Sequence, residues 1–335
     1  MARQVQFDRF GGPEVLTVRD IEVGPPGADE VLIQVEAIGL NRAEVMFREG
    51  SYFLQPAFPS TLGYEAAGTV EAVGENVTGL AVGDPVGVVP AFSMNAYGTY
   101  GDHVVVPAAA VVPRPAGTDP VRAAAVWMAY ITAYGALVDE GGLRAGEYVL
   151  LSAAAGGVGL AAIQTARRIG AVSIATTRSA GKKQALLDAG ADHVIVTDEE
   201  NLPARVKEIT GGEGVRLAFD PIAGPGVETI AEAITPGGRL LIYGAMDPRP
   251  TPLPNTAHYP DLSTGMFTMF RVTADPERLR RAVAFVNAGL ADGSLAPVVD
   301  RTFDLADIAE AHGYMESGAQ VGKIVVTVAR DDTSA

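Results

Sequence analysis

Between the apolar run "YVLLS" (148–152) and the helically spaced "LAAIQTARRIG" (160–170) lies the stretch Ser152-Ala153-Ala154-Ala155-Gly156-Gly157-Val158-Gly159. A strand, a glycine loop, a helix and then a second apolar run, "VSIATT" (172–177), together predict a βαβ unit. In such a unit a G-x-G-x-x-G loop holds a dinucleotide pyrophosphate. Its middle glycine lets the backbone approach the phosphates, and its last glycine lets helix and strand pack closely. Gly156 and Gly159 take those two places, while Ala154 stands where the turn glycine would be. That position asks for a small side chain more than for none. The amides and positive dipole end of the following helix supply an anion site. Ala154, Ala155, Gly156, Gly157, Val158 and Gly159 are therefore expected to cradle a dinucleotide. A structural turn without a ligand is the competing reading.

The same rhythm continues outward. "HVIV" (193–196), "VRLAFD" (215–220) and "RLLIYG" (239–244) alternate with helical stretches. Their near-continuous apolar character suits strands covered on both faces, so 122–264 reads as a doubly wound parallel α/β sheet. Residues 1–121 read instead as short strands with Gly and Pro turns: "VLIQVEAIGL" (31–40), "GTVEAVG" (68–74), "VGDPVGVV" (82–89) and "DHVVVP" (102–107). Beyond 264 come a helix with Asp275 as N-cap, Pro276 at its first position and Gly289 as its stop, then the helix "DLADIAEAHGYMESG" (304–318), then the strand "GKIVVTV" (322–328). These few elements cannot build a core alone. They are expected to return to the first region, giving a discontinuous domain of 1–121 and 265–335. The Pro-rich "DPRPTPLPNTAHYP" (247–260) is read as a crossing or a cover.

A chain of 335 residues with 48% hydrophobic and 19% charged side chains has room for two cores. Its net charge of −15 argues against a nucleic-acid or anionic-membrane partner. The absence of cysteine excludes disulfides, thiolate metal sites and a cysteine nucleophile, and fits a reducing compartment. The N-terminus lacks the apolar core of a signal peptide, and no run of 18 apolar residues is present, so a cytoplasmic location is expected.

The end of the second strand bears on the cofactor. NAD sites commonly place Asp or Glu there, about 20 residues past the loop, to hold the ribose hydroxyls. Nineteen residues after Gly159 stands Arg178, followed by Ser179, Lys182 and Lys183, with no acid between. A guanidinium pairs with the 2′-phosphate of NADPH, which a carboxylate would repel. Cations at a helix N-terminus also oppose its dipole unless an anion is bound. Arg178, Ser179 and Lys182 are therefore expected to select NADPH. A solvated helix start is the competing reading.

"LGYEAAGTVEAVG", "VGDPV", "GTYGDHVVVP", "ITAY", "SAAAGGVG" and "GKIVVTV" together resemble the medium-chain dehydrogenase/reductases over nearly the whole chain. The resemblance implies a Rossmann-type nucleotide domain and a GroES-like catalytic domain. Zinc-dependent members hold a catalytic metal on Cys, on the His of G-H-E, and on a further Cys or Asp. The matching positions here are Asn41, Tyr64 and Met128, a poor donor set, so no metal is expected. His103, His193, His258 and His312 lack ligand spacing and read as surface or polar-cluster residues.

Without metal, the chain resembles the quinone oxidoreductase branch and its enone- and enoyl-thioester-reductase relatives. "NRAEVMFREGSY" (41–52) matches their N-x-x-[DE]-x(7)-Y pattern. The resemblance implies that Tyr52 donates a proton, and such chemistry suits a phenol: hydride adds to an activated alkene, and a donor stabilises and then protonates the enolate. It also implies Asn41 on the substrate carbonyl or nicotinamide ribose, Arg42 on the pyrophosphate, and Thr132 and Tyr243 near the cofactor. Competing readings are a core aromatic for Tyr52, a turn residue for Asn41, a surface salt bridge for Arg42 and a helix-turn cap for Thr132. Glu65 reads as structural. Tyr64, Met128 and Phe267 are read as pocket lining, with core or subunit packing an equal reading for the Met266–Phe270 cluster. A homodimer is expected, paired at the nucleotide-sheet edge near "RLLIYG". Three functions are thus open: reduction of a quinone or an activated C=C by NADPH, reduction of an enoyl thioester, or NADPH binding with little catalysis in a structural or regulatory role.

Overall fold

The structure, a computed structural model, describes residues 1–114, 117–255 and 257–329. Two compact units form: Met1–Met128 with Pro297–Ala335, and Ala129–Ala296.

The second unit contains one six-stranded parallel sheet, in the spatial order His193–Val196, Val172–Thr177, Tyr148–Leu151, Val215–Asp220, Ile234–Ile242, Ser263–Met266. This is the doubly wound Rossmann-type order. The first four of these strands are buried almost throughout, Ile234–Ile242 is buried towards its end and Ser263–Met266 is not; Leu150, Ile174, Ile195, Ala218 and Leu240 pack into one core. The strand of "RLLIYG" is not the sheet edge, because Ser263–Met266 pairs outside it.

The helix Pro276–Ala291 also belongs to this unit, which moves the boundary from 265 to 297. Asp275 caps it as expected, accepting from the Glu277 and Arg278 amides. Both polar and apolar side chains tie the helix to this unit: Arg278 pairs with Asp139 at 2.6 Å, and the Phe285 ring centroid lies 5.0 Å from that of Tyr134. The amphipathic helix buries its apolar side on the nearest available core, and partners at 134 and 139 make that the second unit.

The first unit contains a separate antiparallel pair, Ala2–Gln6 with Thr17–Ile21, and a seven-stranded, mostly antiparallel sheet. Glu30–Gly39 is its hub, pairing with Glu65–Val73, His103–Pro107 and Lys323–Thr327. The return of the C-terminal strand makes the unit discontinuous. Alternate residues Val31, Ile33 and Val35 are buried, the period of a half-buried strand. Between Gly39 and Glu65 the chain forms a helix, Arg42–Glu49, that the β-rich reading did not anticipate. The stretch Pro120–Glu140 is long and apolar enough for a membrane span by composition, yet 83% of its apolar window is buried inside the fold.

Candidate active site

The glycine loop joins the strand Tyr148–Leu151 to the helix Gly157–Arg168, with Gly156 as N-cap. A Cβ on Gly159 would lie 2.3 Å from the Ala154 carbonyl oxygen, so helix and loop touch backbone to backbone there. A Cβ on Gly156 would meet no protein atom within 4 Å. The protein therefore does not itself require glycine at 156; a ligand approaching the helix N-terminus would. The turn conformation falls one residue earlier than expected: Ala153 has φ 47°, while Ala154 is fully buried against the helix. A left-handed alanine costs about 1–2 kcal/mol, so neighbouring contacts must hold this turn. Ala154 donates its amide to the Thr176 carbonyl at 3.0 Å, which fixes the loop to the adjacent strand.

Arg178 directly follows that adjacent strand, Val172–Thr177. Arg178 and Ser179 are exposed, and Lys182 is half-buried in the short turn Ala180–Lys182. The structure thus puts the basic cluster beside the glycine loop, at the carboxyl ends of neighbouring strands. Tyr243 follows the strand Ile234–Ile242 and stacks on Phe219 with centroids 4.0 Å apart. Thr132 is buried on the helix Trp127–Tyr134. Phe267 is buried as well, edge-on to Phe219 at 6.2 Å and packed against Gly135, where a Cβ would lie 2.8 Å from its ring. Its ring packs among core residues of the second unit.

In the first unit Asn41 is the N-cap of the helix Arg42–Glu49. Its amide nitrogen donates to the Gly39 carbonyl and to the Glu44 carboxyl, each at 3.1 Å, and its oxygen accepts from the Lys323 ammonium. In this arrangement both donor hydrogens of the buried side chain are engaged within the protein, and Asn41 bridges the start of the helix to Lys323. Lys323 also pairs with the buried Glu65 at 2.7 Å, and Glu65 accepts from the Met128 amide. Burial lifts both carboxyls, Glu44 to about 8, while the Lys323 charge pulls each down. Lys323 therefore lies among the residues that the resemblance matched to metal positions. Among the described residues, no group of three His, Asp or Glu side chains could hold a metal ion.

Tyr52 follows the helix end at Gly50, whose φ of 77° turns the chain back. The Tyr52 amide donates to the Met46 carbonyl at 3.1 Å, and its ring lies 4.2 Å from that of Phe53. Burial pushes its phenol up to about 12, and Tyr64, itself buried, acts on the same ionisation. At neutral pH both phenols carry their protons. Arg42 is exposed at the start of the helix.

The helix has a second anchor. Arg48, fully buried, donates to Nδ1 of His312 at 2.9 Å and to Glu316 at 2.7 Å. Nε2 of His312 meets the Tyr100 hydroxyl at 3.1 Å, so His312 is a polar-cluster residue as read. Burial first, and then the Arg48 charge, lower it to about 3, keeping it neutral.

A mainly antiparallel sheet with a returning C-terminal strand, together with a Rossmann sheet bearing a glycine loop, defines a medium-chain dehydrogenase/reductase. The comparisons agree. Residues 27–116 match the alcohol dehydrogenase GroES-like domain, and residues 157–288 match a family described as zinc-binding dehydrogenase. A quinone oxidoreductase of Pseudomonas aeruginosa is 35% identical, over 97% of this chain and 99% of its own. The Escherichia coli quinone oxidoreductase, solved in complex with NADPH, superposes with a TM-score of 0.91 at 31% identity, covering 97% of this chain and 99% of that one. The CurK enoyl reductase superposes at 0.86 with 27% identity, covering 98% of this chain and 99% of that one. The chain belongs to the quinone oxidoreductase family.

Proposed function

We propose that this chain is an NADPH-dependent reductase of a quinone or an activated C=C bond, working without zinc. The observation that carries the proposal is a pair of protonated phenols, the half-buried Tyr52 and the buried Tyr64, the second of which stands at a position matched to a metal ligand of the zinc-dependent members. NADPH, when bound, supplies the hydride. Gly156 and the helix N-terminus would hold its pyrophosphate, and Arg178 its 2′-phosphate. Tyr52 would donate a hydrogen bond to the substrate carbonyl and then its proton to the reduced product. The quinone oxidoreductase relatives support this reading.

The likeness to an enoyl reductase favours a second reading, an enoyl-thioester substrate. A CoA thioester needs cations for its phosphates. Of the four arginines that could serve, Arg271 pairs with Glu140, Arg278 and Arg281 pair with Asp139, and Arg280 is exposed, which leaves a sparse set of cations. A free quinone or enone is therefore the better fit. The test is NADPH oxidation by the purified chain with quinones, enones and enoyl thioesters. Turnover confined to thioesters would replace the first reading with the second. NADPH binding with no turnover on any of them would leave a binding protein only.

Arg178→Glu is expected to raise the Kd for NADPH about thirtyfold and that for NADH by no more than about threefold, because only one carries the 2′-phosphate. Fluorescence titration with both cofactors reads the ratio, and an unchanged ratio removes Arg178 from the phosphate site.

A further inference from the structure

Asp220 is fully buried and ends the strand Val215–Asp220, next to the glycine-loop strand. Its two carboxyl oxygens point to two different loops. One accepts from the Ser152 hydroxyl, at the start of the glycine loop. The other accepts from the Ala223 amide at 2.6 Å, in the loop after its own strand. Each loop carries an alanine in the left-handed region: Ala153 with φ 47°, next to Ser152, and Ala223 itself with φ 61°. They are the two non-glycine residues with positive φ among those described. Glycine would adopt either conformation without strain, so something else must hold these turns, and the Asp220 carboxyl bonds to both. The two loops follow the two adjacent central strands at their carboxyl ends, where doubly wound sheets bind their ligands.

We propose that Asp220 is a positioning residue for the dinucleotide, pinning the Ser152–Gly159 and Pro221–Gly224 loops in their binding shape before the cofactor arrives. The donors facing it fit this role. The Ser152 hydroxyl and the Ile222 and Ala223 amides all favour its carboxylate, against a burial that raises its pKa. The proposal rests on the reading that the glycine loop binds NADPH, and it adds that the loop geometry is set from behind, by a side chain that does not touch the ligand.

The test is the Kd for NADPH and for NADH, by fluorescence titration well below the melting temperature. Asp220→Ala is expected to raise both about tenfold with their ratio unchanged, since the 2′-phosphate contact is not involved. Asp220→Asn keeps an acceptor for the Ala223 amide and a donor for the Ser152 oxygen, and should stay within about threefold of the unaltered chain. An Asp220→Ala protein that melts lower yet binds NADPH normally overturns the proposal, because the residue is then structural only. Equal losses in the Ala and Asn variants overturn it too, because charge rather than the two-loop tie would matter. If Asp220→Ala does not fold, Ser152→Ala decides: it breaks one arm, and an unchanged Kd overturns the proposal. If the unaltered chain does not bind NADPH, the cofactor reading fails first and this inference fails with it.

Discussion

The Tyr52→Phe protein is expected to bind NADPH as tightly as the unaltered chain and to reduce enones about a hundredfold more slowly. The substitution removes one hydroxyl and leaves a ring packed beside Phe53 and Phe47. Only the donor is lost. With the phenol held near 12, Tyr52 is protonated across the working pH range, so its part is to donate rather than to accept. Enones are the informative substrate, because their enolate needs a proton to complete the reaction. Quinones accept electrons readily without a dedicated acid, and a smaller loss is expected with them. Steady-state rates with both substrate classes make the measurement. Unchanged enone turnover would leave Tyr52 as a wall of the pocket, with water supplying the proton.

Lys323→Met is expected to destabilise the protein by about 3–5 kcal/mol, because removing one member of a buried ion pair leaves the other charge uncompensated. Glu65 is fully buried and would lose its cation, and the Asn41 oxygen would lose its donor. A melting scan should show a fall of about 10 °C. The double variant Lys323→Met/Glu65→Gln should recover much of this loss, since it removes both charges together. A single variant that melts within about 2 °C of the unaltered chain would show that the ammonium is not what balances Glu65.

Much of the nucleotide unit was legible in the sequence because its signals are local. Five of the six parallel strands carry a short apolar run and were read from it, whereas Ser263–Met266 carries none and was not. The glycine loop could be read from its neighbours despite Ala154. What stayed hidden needed pairings that only the fold makes. Lys323 reads as one polar residue at the start of an apolar strand, and nothing near it in sequence says that Asn41 and Glu65 come to meet it. The resemblance implied a substrate or ribose contact for Asn41 and left its local role unread. The capping signal Asn41–Glu44, which would have predicted the helix Arg42–Glu49, lay in the same four residues. Asp220 is the last letter of an apolar strand, and nothing near it in sequence says that Ser152 and Ala223 meet its two oxygens. The helix Pro276–Ala291 was found with its cap, yet its home depended on Asp139 and Tyr134, distant along the chain.

The Asn41–Glu65–Lys323 cluster also bears on attempts to redesign this scaffold as a metalloenzyme. Installing thiol and imidazole donors at 41, 64 and 128 would place a divalent ion in a neighbourhood that already holds an ammonium balanced by its own carboxylate. The incoming ion would meet charge repulsion, and the helix start at Asn41 would lose its cap in the same step. A workable redesign therefore begins at position 323, on a strand far along the chain from every residue that would bind the metal.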